Sequence, residues 1–315
     1  MNQRLRVGVV GATGYVGAEL VRLILGHPAF ELAAVVSSSS AGRALSDAIP
    51  GLLGLTDLRL EAFDAARLSK LDAVFLATPH GKARPLAAQL DTRVVDCSAD
   101  HRHAPGWVYG QPEYHGARLF GARRIAAPGC FATAISLALA PLVQADLLDG
   151  DVQIVGATGS TGSGATPTQG THHPERFANL KAYKVLKHQH VPEVREFLSG
   201  LGRAPELHFV PLSVPVDRGI LVTCFARLSR DVDAAARFAH AYAPHPHVRI
   251  RAGTPELRHV RGTVFCDLSV HQDDRQVVVL SAIDNLGKGA AGQAVQCLEL
   301  ALDLPGATRF PPCTP

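Results

Sequence analysis

Through the first part of the chain, short apolar, β-branched runs alternate with stretches of helical spacing. Arg6–Val10 leads into Gly11–Gly17 (GATGYVG) and a helical pattern that reaches Leu25. Phe30–Val36, Asp72–Ala77, Arg93–Asp96 and Arg124–Ala127 are further strand candidates. Helical stretches fall at Lys82–Leu90 and from Phe131 onward. Strands alternating with helices predict a Rossmann-type, doubly wound parallel sheet of the α/β class. After about residue 146 the texture changes. Val152–Ala157, Leu207–Pro211, Ile220–Leu228, Val264–His271 and Gln276–Ile283 are strand-like, with few helices between them. The last two flank Asp273-Asp274, a hairpin turn signal. The pattern predicts a second α+β domain with a largely antiparallel sheet over 147–287. The first domain, 1–146, is expected to be completed by the returning helical segment within 288–315.

Composition narrows the function classes. The 315 residues are 47% hydrophobic and 19% charged, which is globular. The formal charge of +3 is too small and too evenly spread for a nucleic-acid or membrane-surface protein. Six cysteines, at 97, 130, 224, 266, 297 and 313, show no C-x-x-C pairs, as in a cytoplasmic protein with reduced thiols. Met1 runs at once into the first strand, so no secretory leader is expected. The longest apolar stretch, around Ile135–Val143, is far short of a membrane span.

Gly11, Gly14 and Gly17, with Thr13, Tyr15 and Val16 between them, turn from a strand into a helix. Glycines there let the backbone approach a pyrophosphate at a helix N-terminus, so a dinucleotide is expected. An enzyme selecting NAD places a carboxylate at the end of the second strand. Here that strand ends in Ser37, Ser38, Ser39 and Ser40, with Arg43 just beyond. Hydroxyls and a guanidinium suit a 2′-phosphate, so NADP is the expected cofactor. Pro79 and His80, in Thr78–Gly81, follow another strand and are placed at the same crevice.

Cys130 stands between Pro128-Gly129 and an Ala/Leu-rich helix, where the positive end of the helix dipole favours a nucleophilic thiolate. A thiolate working with a nicotinamide points to covalent chemistry on an acyl group, by way of a thioester that hydride reduces. Histidine is the apt proton carrier, and His188-Gln189-His190 is the candidate segment. His172-His173 and His245-Pro246-His247 lack a Cys, Asp or Glu partner at matching spacing, so no metal site is expected. Thr158–Ala165 is a second glycine- and hydroxyl-rich loop able to nest an anion, and includes Ser160. Arg102 and Arg218 are candidates to grip phosphate or carboxylate.

In order along the chain, GATGYVGAEL, LATPHG, DCSADHR, YGQPE, APGCFATA, KAYKVLKHQHVPEV, VDRGIL and AIDNLGKGAAGQAVQ resemble the N-acetyl-γ-glutamyl-phosphate reductase family, NADP-dependent enzymes of arginine biosynthesis. The resemblance implies that Cys130 is the nucleophile and His190 the acid/base, with His188 in reserve. It places Arg102 near the substrate phosphate, Ser160 and Arg218 in the substrate pocket, and Asn285 by the nicotinamide. It also implies a homo-oligomer, dimer or tetramer, joined through the α+β domain. Two segments depart from the pattern. Asn-Pro-Gly-Cys-Tyr-Pro becomes Ala127–Ala132, and Leu-Ser-Ala-Asp-Phe-Arg becomes Cys97–Arg102. The cysteine context and His172–Arg176 also resemble the lysine-pathway reductase that acts on carrier-linked aminoadipyl phosphate. A Phe-Ala-Thr context occurs in relatives for other N-acylglutamyl phosphates, N-succinyl among them. Aspartate-semialdehyde dehydrogenase fits less well, because Val214-Pro215-Val216 leads to no histidine. A reading from another class is a non-catalytic NADP-binding sensor on the same fold.

Overall fold

The computed structural model describes residues 4–304; Cys313 and the end of the expected C-terminal segment lie outside them. In chain order the first elements are β1 (Leu5–Val10), α1 (Tyr15–Leu25), β2 (Phe30–Val36), β3 (Ala73–Leu76), α2 (Ala83–Ala87), β4 (Arg93–Asp96), β5 (Val108–Tyr109), α3 (Pro112–Leu119) and β6 (Arg124–Ala126). There follow α4 (Cys130–Gln144), β7 (Val152–Thr158), β8 (Lys181–Ala182), α5 (His190–Ser199), β9 (Leu207–Ser213), β10 (Ile220–Arg227), α6 (Ala234–Tyr242), β11 (Val248–Ile250), β12 (Cys266–Asp273), β13 (Gln276–Ile283) and α7 (Gly292–Ala301).

Two compact units divide the described residues, one formed by 4–128 with 290–304 and the other by Gly129–Gly289. The first carries a six-stranded parallel sheet in the order β2-β1-β3-β4-β6-β5. Its strands are nearly continuous apolar runs, as expected when a parallel sheet is covered on both faces. Val7, Val9, Leu20, Ile24, Phe30 and Phe75 share one core with Ala294, Val295 and Leu298 of α7. The His27 ring, stacked on Phe30, also bonds Glu299 of α7 at 2.9 Å, with both side chains buried.

The second unit holds a mixed seven-stranded sheet, β11-β12-β13-β10-β7-β9-β8, antiparallel except for the β11–β12 and β7–β9 pairs. Asp274 adopts φ 51°, closing the β12–β13 hairpin. The division falls at Gly129 rather than at 146, because α4 packs on β10, β13, α5 and α6. Pro141 lies within α4 and brings no N–H, which leaves the Leu137 carbonyl without its helical donor. The Tyr242 hydroxyl of α6 supplies that bond at 2.6 Å.

Alternation along the second sheet leaves one face incompletely covered. The register aligns Thr223 with Val155 and Leu280, and Val155 with Val210. Phe225 is 44% exposed and Val155 36% on that face.

Candidate functional site

In the first unit the glycine turn is set by backbone contact. A Cβ on Gly17 would fall 2.1 Å from the Gly11 carbonyl oxygen, and one on Gly11 (φ +86°) 2.4 Å from that of Ala77. Both clashes are with backbone, so neither can be relieved by a side-chain shift. Gly17→Ala is expected to destabilise the protein by about 3 kcal/mol, measured as a lower urea midpoint, and to weaken NADP binding. Gly14 caps α1 with no side-chain bond, and the first turn holds no acidic residue. The first N–H groups of α1, from Tyr15 to Gly17, are therefore available to an anion. The buried Thr78 hydroxyl, beside Gly11, has no protein partner.

At the end of β2, the Ser37 hydroxyl lies 3.3 Å from that of Thr13. Ser38 and Arg43 are exposed there, with no carboxylate between them. His80 accepts the Ala99 N–H through Nδ1 at 3.0 Å. These features fit a phosphorylated dinucleotide along the carboxyl edge of the sheet. Asp100 accepts the N–H groups of Gly81, Ala83 and Arg84, fixing the loop that contains Pro79 and His80. Partial burial opposes ionisation of Asp100, but those N–H groups and the Ser98 hydroxyl hold its carboxyl below the usual range. Buried Arg102 donates from Nε to the Ala127 carbonyl at 3.0 Å.

In the second unit Cys130 is the first residue of α4, which is capped by Gly129 and has no acidic residue in its first turn. A Cβ on Gly129 would sit 2.2 Å from His190 Nε2, so the imidazole packs directly on this α-carbon. The Gly129 N–H donates to Glu193 Oε1 at 2.8 Å, and Glu193 is itself buried. His190 and Glu193, three residues apart at the start of α5, thus both engage the turn that presents Cys130. On the other side, a Cβ on Gly289 would fall 2.9 Å from that of Cys130.

The two histidines are distinguished by their surroundings. His188 accepts the His190 N–H through Nδ1 at 3.2 Å, and Phe131 meets its ring edge-on at 5.5 Å. Burial, with the Lys184 ammonium, pushes His188 down to about 4. It is therefore neutral near pH 7, with Nδ1 engaged inside the fold.

Ser160, Arg218 and Asn285 come together in one loop cluster. The N–H of Ser160 bonds the Val216 carbonyl at 2.9 Å. Asn285 accepts the Gly219 N–H at 2.7 Å and donates to the Thr161 hydroxyl at 3.0 Å. Arg218 pairs with the fully buried Asp284 at 2.9 Å, and Asp284 also accepts the N–H groups of Leu286 and Gly287. Glu193 and Asp284 are polar groups of the second unit's site that residue patterns did not single out. Among the described residues no group of three or more His, Cys, Asp or Glu could hold a metal ion, and no helix is long and apolar enough to cross a membrane.

Residues 6–122 match the family described as semialdehyde dehydrogenase, NAD binding domain, and 130–285 match semialdehyde dehydrogenase, dimerisation domain. The chain is 43% identical to N-acetyl-γ-glutamyl-phosphate reductase of Salinispora arenicola, over 96% of this chain and 97% of that one. It is 42% identical to the enzyme of the same name from Saccharopolyspora erythraea, over 98% of each. In fold it is similar to aspartate semialdehyde dehydrogenase II from Vibrio cholerae, with a TM-score of 0.77 at 18% identity over 96% of this chain and 99% of that one. Aspartate semialdehyde dehydrogenase from Candida albicans, solved with NADP, gives 0.74 at 17% over 96% and 100%.

Proposed function

The chain belongs to the N-acetyl-γ-glutamyl-phosphate reductase family, and on that premise we propose that it reduces N-acetyl-γ-glutamyl phosphate to N-acetylglutamate semialdehyde and phosphate, as a cytoplasmic enzyme of arginine biosynthesis. The observation that carries this reading is the junction at Gly129, where Cys130 opens a helix and His190 packs on the preceding α-carbon. The Cys130 thiolate attacks the acyl carbon, the bond from that carbon to the phosphate oxygen breaks, and a thioester remains. NADPH, when bound, supplies the hydride that reduces this thioester. His190 protonates the oxygen on the reduced carbon and takes the proton back as the C–S bond breaks, releasing aldehyde and thiolate. Arg102 serves the phosphate, while Ser160 and Arg218 serve the rest of the substrate, Arg218 being held by Asp284. Gly11, Thr13, Gly14, Tyr15, Val16 and Gly17 would hold the pyrophosphate, and Ser37, Ser38 and Arg43 the 2′-phosphate. Pro79 and His80 would line the cofactor crevice of the first unit. Asn285 is assigned to the nicotinamide.

The test is the reverse reaction, phosphate-dependent reduction of NADP. Semialdehydes of N-acetylglutamate, N-succinylglutamate, carrier-linked aminoadipate and aspartate are compared side by side. N-acetylglutamate semialdehyde is expected to give the highest kcat/KM. Preference for the carrier-linked or the succinyl compound would overturn the assignment of the acyl group while leaving the chemistry in place.

The incompletely covered face of the second sheet supports a homo-oligomer, since a half-exposed apolar sheet face is stabilised by a second copy. Phe225→Arg places a charge in the middle of that face. It is expected to shift the protein toward monomer in sedimentation velocity, whereas an unchanged assembly would show that the face is not the contact.

A further inference from the structure

Tyr183 is the polar aromatic group of this cluster to which the reaction above assigns no part. Its backbone N–H bonds the Pro211 carbonyl at 3.1 Å, which fixes the residue just beyond β8. Its ring meets His188 edge-on at 5.8 Å, and His188 lies 4.7 Å from His190. The phenol interacts electrostatically with Cys130 and with Arg176. Arg176 is itself held by the Ser213 hydroxyl and by the carbonyls of Val214, at 3.2 Å, and Thr158, at 3.4 Å. Phe131, the residue after Cys130, meets the same His188 ring at 5.5 Å, so Tyr183 belongs to the ring cluster beside the nucleophile, all within the second unit.

We propose that Tyr183 is a further catalytic residue, whose hydroxyl donates a hydrogen bond to the acyl oxygen as negative charge develops on it during attack by Cys130. The proposal rests on Cys130 being the nucleophile. Attack converts the carbonyl into an oxyanion, and a donor already in place stabilises it with no reorganisation. The N-terminus of α4 offers backbone N–H groups, and a neutral hydroxyl adds a second kind of donor. Burial, and then the thiol's negative charge, push the Tyr183 phenol upward, while Arg176 works the other way. The hydroxyl thus keeps its proton throughout the working range and acts as a donor, with no net transfer of the proton.

Tyr183→Phe removes the hydroxyl and keeps the ring against His188, so the variant retains the packing of the cluster. In the reverse assay kcat is expected to fall by about 10²-fold with the semialdehyde KM within a factor of about two. The rate at which iodoacetamide alkylates Cys130 is expected to stay at the wild-type value, because the hydroxyl serves the substrate oxygen and not the sulfur. A kcat within twofold of wild type would overturn the proposal, as would a loss matched by an equal change in alkylation rate. Turnover surviving in Cys130→Ala would fault the nucleophile and this proposal with it; turnover intact in Tyr183→Phe would fault this proposal alone.

Discussion

Cys130→Ala is expected to lower phosphate-dependent NADP reduction by on the order of 10⁴-fold or more, since no thioester can form without the sulfur. NADP affinity should stay at the wild-type level, because the glycine turn belongs to the other unit. Cys130→Ser should restore little, since a hydroxyl lacks the thiol's nucleophilicity at neutral pH. Alkylation gives a second readout of the same chemistry. Burial raises the Cys97 thiol, with Asp96 adding to the shift, and burial alone raises Cys224. Cys266 and Cys297 are fully buried, beside the Ser281 hydroxyl and the Gly110 carbonyl. Among the described cysteines one thiol, Cys130, should therefore react fast at neutral pH. Full turnover in Cys130→Ala would exclude the covalent route. Equal, slow labelling of all five would favour an NADP-binding sensor without turnover.

The cysteine was legible because its signal is local: Pro-Gly ahead of a helix places the next side chain at the N-terminus whatever packs around it. The same holds for β2, β4 and β13, where β-branched runs are bounded by turn residues and match the expected limits. Strands β5, β8 and β11 are only two or three residues long and pair on one side, too short to carry a period. Helix α6 escaped notice although Asp233 caps it, accepting the Ala236 N–H at 2.9 Å. Helix α4 is buried nearly all round, so its sequence shows no face that would tell which sheet it covers. That is why the sequence places the boundary after the helix, whereas the unit begins ahead of it. Glu193 could not be read either, because its partner Gly129 is 64 residues away and an acidic residue in a first helical turn is ordinarily a solvated one. Tyr183 lies within KAYKVLKHQHVPEV, yet nothing in that segment's spacing shows its ring against His188.

The choice between His188 and His190 depends on side-chain environment, which spacing does not report, and it leads to the second large expected effect. His190→Ala should lower kcat by about 10³-fold, the range for losing a general acid/base. His188→Gln should cost far less in kcat, because the His188 ring is neutral and its Nδ1 already accepts the His190 N–H. Its effect should fall on stability instead. In the unfolded chain His188 takes up a proton near its ordinary value of 6.5, whereas in the folded protein it resists protonation until about 4. Stability is therefore lost as pH falls through that interval, and His188→Gln should flatten the slope of the urea midpoint between those values. The histidine-dependent limb of the pH–rate profile should persist in His188→Gln and vanish in His190→Ala. The opposite pattern would transfer the acid/base role to His188 and leave His190 as packing against Gly129.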